Sequence, residues 1–298
     1  MIEILAGDCR DTLKTLADQS INTCITSPPY WGLRDYGEKE QLGLEDTPEE
    51  YVANLVEVFR EVKRVLRDDG TVWLNLGDSY AGPKGNNRGE GAGGGQIRGE
   101  LMGFNNIKTK VPKGLKAKDL VGIPWRVAFA LQQDGWYLRQ DIIWHKPNPM
   151  PESVTDRCTK AHEYIFLLSK NAKYYYDHEA IKEDAKFPDG PNTPSSIKAV
   201  EGVYSANLQK IGANDKRNKR SVWTVTTKPY KEAHFATFPM DLIEPCVLAG
   251  CPEGGTVLDP FGGSGTTGQI ADGHNRNAIL CELNPEYIEI SKKRLGVG

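Results

Sequence analysis

The sequence predicts an α/β fold, in which helices cover both faces of a doubly wound mixed sheet. Three observations favour this fold class. Short apolar runs of strand length alternate with segments that carry apolar residues at helical spacing. One apolar run ends in a rigid Pro-Pro segment, and another, far along the chain, leads into a Gly-rich turn and a helix-like segment. A chain of 298 residues can bury a large core, so we expect one α/β domain with a smaller inserted region.

The first half of the chain begins the alternation of strands and helices. Apolar runs at 2–5 and 21–25 predict buried strands, with a helix at 10–16 between them. Residues 51–66 have apolar side chains at helical spacing and end before an Asp-Asp-Gly turn. The next apolar run, 71–76, predicts the strand that follows this helix.

The second half continues the same pattern. Pro124 fits the first turn of a helix predicted at 123–133, where a fixed φ is tolerated. Strand-like runs at 142–144 and 163–169 follow, and they suggest a hairpin. The remaining predicted elements are a helix at 240–249, a short strand from Val257, a strand at 278–281 and a helix that begins near Pro285.

The segment Thr26-Ser27-Pro28-Pro29-Tyr30-Trp31 follows the second apolar run. Two consecutive prolines hold the chain rigid at the carboxyl end of a strand, where open α/β sheets place their chemistry. A fixed turn there can direct the Ser27 hydroxyl, the Pro28 carbonyl and the Tyr30 ring at one small planar substrate. Considered alone, the segment is better explained as a Pro-Pro turn capped by a packed aromatic, so its function depends on the rest of the chain.

A Gly-rich turn, Asp259-Pro260-Phe261-Gly262-Gly263-Ser264-Gly265-Thr266, follows a predicted strand. Glycine permits close backbone approach and positive φ, which suits a loop that wraps a cofactor. A further apolar run ends in Glu282, where such folds place an acid that binds a ribose. The spacing of Gly263, Gly265 and Gly268 also satisfies the dinucleotide fingerprint, so a nicotinamide- or flavin-binding enzyme is an alternative.

Taken together, these two segments resemble the signatures of the DNA amino-methyltransferases, which transfer a methyl group from S-adenosylmethionine to exocyclic nitrogens. Ser27-Pro28-Pro29-Tyr30 resembles the catalytic signature of that family, and 259–266 resembles its cofactor signature, Asp-Pro-Phe-x-Gly-x-Gly-Thr. The catalytic block comes first, which resembles the permuted β-type order, with target recognition between the two blocks. A dehydrogenase would more naturally open with its Gly-rich turn and would not need Ser-Pro-Pro-Tyr.

The resemblance implies a Rossmann-like methyltransferase fold with S-adenosylmethionine as the cofactor. The catalytic residues it implies are Ser27, Pro28, Pro29 and Tyr30. The cofactor-binding residues it implies are Asp8, Phe238, Asp259, Pro260, Phe261, Gly263, Gly265, Thr266 and Glu282. Three of these residues also fit purely structural roles. Asp8 fits the N-cap of the next helix, Glu282 fits a surface acid before a helix, and Phe238 fits a residue that staples a helix start.

The same resemblance divides the chain into parts. Residues 1–80 and 119–175 are expected to form the catalytic half of the methyltransferase domain, and 223–298 the cofactor-binding half. The Gly-rich stretch 81–118 contains eight cations and two acids, which suggests a loop that orders on a polyanion. Residues 176–222 are the candidate target-recognition region, and a second basic cluster lies near their end.

The basic segments predict contacts with double-stranded DNA. The candidate DNA-binding residues are Trp31, Lys84, Arg88, Arg98, Lys113, Lys216, Arg217, Lys219 and Arg220. A solvated flexible loop is the alternative for both segments, and the net charge of −3 does not itself indicate a nucleic-acid partner. A base inside a duplex cannot be reached, so the target is expected to be flipped out and stacked on Tyr30.

The target base is predicted from the first residue of the catalytic signature. In the family, serine there is associated with N4 of cytosine, and aspartate or asparagine with N6 of adenine. Ser27 therefore favours cytosine N4, with adenine N6 as the alternative. Pro245-Cys246 matches the Pro-Cys nucleophile of cytosine-C5 methyltransferases, but it precedes the cofactor loop and fits a buried helix better.

Other classes of function remain as alternatives. A DNA-binding protein that keeps the fold but has lost catalysis is one, although the complete set of signature residues argues against it. An RNA or a protein substrate is a further alternative, because Pro-Pro-Tyr sites occur on related scaffolds, and the basic loops fit RNA as well as DNA. The resemblance allows a cognate restriction endonuclease as a partner.

The composition is consistent with an intracellular enzyme that needs no metal. Six cysteines, at 9, 24, 158, 246, 251 and 281, show no metal-ligand spacing, so we expect reduced core thiols. The sequence shows no signal peptide and no apolar run of transmembrane length, so the expected location is cytoplasmic, without membrane insertion.

Overall fold

The structure is a computed structural model, and it describes residues 1–33, 35–38, 40–82, 111–185, 216–227 and 238–297. It contains two compact units. The large unit consists of Met1–Tyr176 and Ser221–Gly298, and the small unit is Asp177–Arg220. In sequence, the small unit falls within the region predicted at 176–222, whose role in target recognition stays a prediction.

The large unit is built on one mixed sheet. The strands of the described residues are β1 (Ile2–Ala6), β2 (Ile21–Thr26), β3 (Leu66–Leu76), β4 (Tyr137–His145), β5 (His162–Ser169), β6 (Glu183–Asp184), β7 (Lys216–Arg217), β8 (Val222–Thr224), β9 (Thr256–Asp259) and β10 (Asn277–Glu282). Eight of them form the sheet, in the order β1-β10-β9-β2-β3-β5-β4-β8. Only β5 runs antiparallel to its neighbours among these described strands, and it forms the predicted pair with β4. β6 and β7 pair with each other in the small unit.

Helices join these strands. They are α1 (Cys9–Thr12), α2 (Pro48–Val65), α3 (Ile123–Gln133), α4 (Met240–Gly250), α5 (Thr266–Gly273) and α6 (Pro285–Leu295). α2 begins earlier than predicted because Thr47 caps it and forms a capping box with Glu50. The helix predicted at 10–16 is instead α1 followed by a tighter turn, Leu13–Thr15. None of the described helices has the length and apolar character needed to cross a membrane.

The two C-terminal strands lie between the two N-terminal strands. β10 pairs with β1, where Ala6 lies opposite Glu282, and β9 pairs with β2, where Val257 lies opposite Thr23. These strands are parallel, so the segments that follow them meet at one edge of the sheet. The fold therefore brings the predicted catalytic segment and the predicted cofactor loop together from opposite ends of the sequence.

The core lies between the sheet and its helices. Five of the cysteines are buried, as expected, and none of the six, all of which lie in the described ranges, forms a disulfide bond. Cys158 is exposed, so the prediction of a core thiol is wrong at that position. Its segment joins β4 to β5 and lacks the apolar pattern that buries the others. Cys246 is fully buried in α4, which agrees with a packing role instead of a nucleophilic one.

Candidate active site

The Ser-Pro-Pro-Tyr segment leaves the sheet directly after β2. Thr26 is the last residue of that strand, so Ser27 stands at the edge where the parallel strands end. The hydroxyl of Tyr51, on α2, donates to the Pro29 carbonyl at 2.8 Å. The Tyr51 side chain is fully buried, so the core itself holds the turn in place.

The hydroxyl of Tyr30 is the centre of a hydrogen-bond network. It donates to Glu163 Oε2 at 2.8 Å, and Asn75 Oδ1 lies 3.1 Å away. Ser27 Oγ donates to the same hydroxyl at 3.4 Å. Burial, and then the negative charge of Glu163, raises the pKa of the Tyr30 phenol well above its usual value of 10.0. Tyr30 is therefore a neutral hydroxyl at physiological pH.

The ring of Tyr30 lies against the backbone at Gly77, just after β3. A Cβ at position 77 would stand 2.5 Å from Tyr30 Cε2, which no side chain can tolerate. The ring is thus held at its hydroxyl by hydrogen bonds and at its edge by glycine backbone. The stacking of a flipped base on this ring stays a prediction.

Sequence reasoning missed the partners of Tyr30. Asn75 lies near the end of β3, and its amide donates to the Tyr164 carbonyl at 3.0 Å. Glu163 lies near the start of β5, which is antiparallel and therefore begins where its neighbours end. The other oxygen of Glu163 forms an ion pair with Lys146, which follows β4. The available signal was a polar residue near the end of β3 and another near the start of β5, but no local motif connects them.

A second pair of charged residues lies at the same edge. Asp78 accepts hydrogen bonds from the backbone N–H groups of Gly122 and Ile123, at 2.9 and 3.0 Å, and so orients the start of α3. Lys160 Nζ lies 3.9 Å from Asp78 Oδ2. Burial lowers the pKa of Lys160, and the charge of Asp78 opposes this effect.

Asp259 links the cofactor loop to the catalytic strand. Its carboxylate accepts hydrogen bonds from Thr26 Oγ1 and Thr267 Oγ1, each at 2.6 Å, and from the Phe261 N–H at 3.1 Å. The residue is 1% exposed, and burial raises its pKa to about 6. The carboxylate thus faces the protein interior and positions the loop, and a role of Asp259 in binding the cofactor stays a prediction.

The Gly-rich turn has a shape that fits a bound cofactor. Gly263 and Gly265 have φ values of +51° and +79°, which side chains rarely adopt. A Cβ on Gly263 would meet nothing nearer than 3.9 Å, so the turn is open at this point. Glu282 Oε2 accepts from the Gly263 N–H at 2.7 Å, and Oε1 accepts from the Asn284 N–H at 2.8 Å. Burial raises the pKa of Glu282.

Asp8 lies one strand away from Glu282, at the end of β1. It caps α1 by accepting from the Arg10 N–H at 2.7 Å, so the N-cap role is confirmed. Its carboxylate also forms an ion pair with the Arg10 guanidinium. Burial would raise the pKa of Asp8, but the hydrogen bonds and charge of Arg10 outweigh it, and the pKa is lowered. A contact with the cofactor stays a prediction.

The other predicted cofactor residues lie around the same loop or at the start of α4. Pro260 and Thr266 are buried, and Thr266 Oγ1 accepts a hydrogen bond from Arg294 at 2.9 Å. Phe261 is half-buried against the core. Phe238 is half-buried and precedes Pro239, the N-cap of α4. In the described ranges, no group of three or more His, Cys, Asp or Glu side chains is placed to hold a metal ion.

The predicted DNA-binding residues have different surroundings. Trp31 is 5% exposed and donates to the Glu45 carbonyl at 2.9 Å, so it packs within the protein, and its contact with DNA stays a prediction. Lys113 is exposed. In the small unit, Glu183 forms ion pairs with Arg217 and Arg220, at 2.9 and 2.5 Å. In the same unit Lys216 is exposed and Lys219 is half-buried, whereas Lys84, Arg88 and Arg98 lie outside the described residues.

Comparison with known proteins identifies relatives over nearly the whole chain. The DNA methylase family N6_N4_Mtase matches residues 21–293. The chain is 47% identical over 293 residues to the Type II methyltransferase M.SmaI of Serratia marcescens, and the match covers 98% of this chain and 90% of that protein. It is 47% identical over 292 residues to the Type II methyltransferase M.Cfr9I of Citrobacter freundii, covering 98% and 87%.

Solved structures share the fold. The cytosine-N4-specific PvuII DNA methyltransferase aligns with a TM-score of 0.66 at 20% identity, covering 98% of this chain and 86% of that one. A Thermus thermophilus protein described as a DNA modification methylase, in complex with S-adenosyl-L-methionine, aligns with a TM-score of 0.62 at 22% identity, covering 99% and 93%. The chain therefore belongs to the N6_N4 DNA methylase family and is a relative of the Type II methyltransferases named above.

Proposed function

We propose that the protein methylates the exocyclic N4 of a cytosine that is flipped out of double-stranded DNA. The observation that carries this proposal is Ser27 at the catalytic position, beside Tyr30 and at the edge of the sheet that also carries the cofactor loop. The fold shared with the cytosine-N4-specific PvuII enzyme supports the same base. Adenine N6 is the alternative that the experiment below distinguishes.

The protein must make the target amine a better nucleophile, because its lone pair is delocalised into the ring. S-adenosylmethionine supplies an electrophilic methyl group on a positively charged sulfur. The Ser27 hydroxyl and the Pro28 carbonyl accept the two amine hydrogens, which favours a more tetrahedral nitrogen and localises the lone pair. The rigid Pro-Pro turn fixes both acceptors, so most of the acceleration comes from positioning and electrostatics.

Tyr30 provides the surface on which the flipped base stacks. Its hydroxyl donates a hydrogen bond to Glu163, and its ring lies against Gly77, so the ring is fixed before the base arrives. A preorganised aromatic loses little conformational freedom on binding. This rigidity supports stacking on Tyr30 as the means of holding the base near Ser27.

Glu282 is the residue that we assign to the ribose hydroxyls of the cofactor. Each of its oxygens accepts one backbone N–H, so acceptor capacity remains for further donors. Asp8, at the end of the neighbouring strand, is assigned to the adenine end. The open turn at Gly263 leaves room for the ligand between these groups.

DNA binding is assigned to the basic residues at the surface. Lys113 is exposed and belongs to the basic stretch 81–118, and Lys216 is exposed in the small unit. Such cations contact phosphates and set the register of the duplex.

Because its relatives are Type II methyltransferases, we also propose a cognate restriction endonuclease that recognises the same DNA sequence.

Base analysis after methylation tests the proposal. The purified protein is incubated with unmethylated DNA and S-adenosylmethionine, and the DNA is digested to nucleosides for mass spectrometry against N4-methylcytosine and N6-methyladenine standards. N4-methylcytosine is the expected product, and N6-methyladenine alone would replace cytosine by adenine. Ser27→Ala should bind the cofactor but yield neither base.

A further inference from the structure

We propose that Glu163 is a positioning residue that sets the direction of a hydrogen-bond chain ending at Ser27. These hydrogen bonds run from Ser27 through Tyr30 to Glu163. Their direction makes the Ser27 hydroxyl an acceptor toward the target amine. The inference rests on the proposed role of Ser27 as the group that contacts that amine. It does not depend on which base carries the amine.

The first step concerns the single proton of the Tyr30 hydroxyl. Two acceptors face it, Glu163 Oε2 at 2.8 Å and Asn75 Oδ1 at 3.1 Å. Asn75 is fixed in this orientation because its amide nitrogen donates to the Tyr164 carbonyl and, at 3.3 Å, to Glu163. A carboxylate accepts hydrogen bonds and donates none, and a charged acceptor is the stronger one. The Tyr30 proton therefore points to Glu163.

The second step concerns the hydroxyl of Ser27. With its proton directed at Glu163, the Tyr30 oxygen offers a lone pair, and the Ser27 hydroxyl donates to it. Both lone pairs of Ser27 then remain free, and one of them can accept the amine hydrogen that does not go to the Pro28 carbonyl. The opposite arrangement would let Ser27 donate to the amine nitrogen, which would occupy the lone pair that must attack. The distance of 3.4 Å is long for such a bond, and apo structures often show catalytic hydrogen bonds before they tighten.

The third step concerns the charge of Glu163. Its side chain is only 16% exposed, and an isolated buried carboxylate would be costly. Lys146, at 17% exposure, forms an ion pair with the oxygen that does not face Tyr30. One oxygen of Glu163 is thus neutralised by Lys146, and the other remains an acceptor for the tyrosine.

The experiment uses Glu163→Gln, which keeps the shape of the side chain and removes its charge. Transfer of tritiated methyl groups from S-adenosylmethionine to total DNA is followed in a single turnover. We expect the rate constant to fall by at least about tenfold, while cofactor Kd and the KM for DNA change little. Glu152→Gln is the matched control, because Glu152 also forms an ion pair, with Arg157, but does not contact Tyr30. An unchanged rate in Glu163→Gln would overturn the proposal.

Two further variants separate positioning from general destabilisation. In a Tyr30→Phe background the hydrogen bonds between Ser27 and Glu163 are already lost, so adding Glu163→Gln should cause no further loss of rate. Additive losses would show that Glu163 acts independently of Tyr30 and would also overturn the proposal. The double variant Glu163→Gln with Lys146→Gln leaves no unpaired charge, and its rate should stay as low as that of Glu163→Gln. The assay counts methyl groups transferred to any base, so it tests the role of Glu163 whether the product is N4-methylcytosine or N6-methyladenine. A product that is N6-methyladenine would overturn only the assignment of cytosine as the target.

Discussion

Replacing Asp259 by asparagine should change how the stability of the protein depends on pH. The carboxylate of Asp259 is buried and accepts hydrogen bonds from Thr26, Phe261 and Thr267. Asparagine has the same shape, and its oxygen can keep the bonds from Thr26 and Phe261. The Thr267 hydroxyl can turn and accept a bond from the new amide, so the variant is expected to fold.

The size of the effect follows from the pKa of Asp259, which burial raises from 3.8 to about 6. Between these values the folded state holds a proton that the unfolded chain releases. The folded state therefore loses stability as the pH rises through this window, by about 3 kcal/mol in total. An asparagine side chain at this position does not titrate. The free energy of unfolding of the wild type, minus that of Asp259→Asn, should fall by about 2 kcal/mol between about pH 4 and pH 7.

Urea unfolding followed by tryptophan fluorescence at several pH values measures this difference. Other carboxylates change the stability of both proteins equally, so they cancel in the subtraction. Asp272→Asn, at an exposed position of α5, controls for the loss of an aspartate from the same part of the fold. A difference that stays constant, or that rises with pH, would refute the assignment of a raised pKa to Asp259.

Three further predictions concern the site. Gly77→Ala places a Cβ 2.5 Å from Tyr30 and should lower turnover in the methylation assay about 100-fold by displacing the ring. The control is Gly273→Ala, which has open space around its Cβ and should leave turnover unchanged. Gly265→Val should weaken cofactor binding, measured by calorimetry, because residue 265 has φ +79° and its Cβ would lie 3.0 Å from a neighbouring leucine. Affinity for DNA falls as salt rises, and Lys113→Ala should reduce the magnitude of the slope of log affinity against log salt by about 1, because one phosphate contact is lost. An unchanged slope would show that Lys113 does not contact a phosphate.

The sequence predicted the parts of the site that lie in continuous segments. The apolar run before Ser27 and the glycines after Asp259 are local signals, and the structure places both at the carboxyl edge of the sheet. The strand pair β4 and β5 was also predicted from local patterns, and it is confirmed. In these cases the interactions that determine the structure join residues close in sequence.

The rest of the site depends on residues that are distant in sequence. Glu163 lies 133 positions from Tyr30, and nothing in its neighbourhood marks it as a partner of that tyrosine. The burial of Trp31 depends on the Glu45 carbonyl and the packing around it, which a pattern of residue types does not specify. Asp259 is part of a cofactor signature, but its hydrogen bond to Thr26 spans 233 positions. Only the assembled sheet reveals these roles.

The position of β9 and β10 between β1 and β2 has a consequence for biosynthesis. A ribosome releases β1 and β2 long before residues 256–282, so both strands must wait with an unpaired edge until the C-terminal part emerges. Pairings of such long sequence separation form slowly, and unpaired edges expose a nascent chain to aggregation or chaperone binding. The predicted cofactor loop lies between β9 and β10, so it emerges at the same stage as the strands that complete the sheet. A chain that lacks residues 256–282 therefore has an incomplete sheet, with β1 separated from β2 and no cofactor loop between them, and we expect it to be inactive.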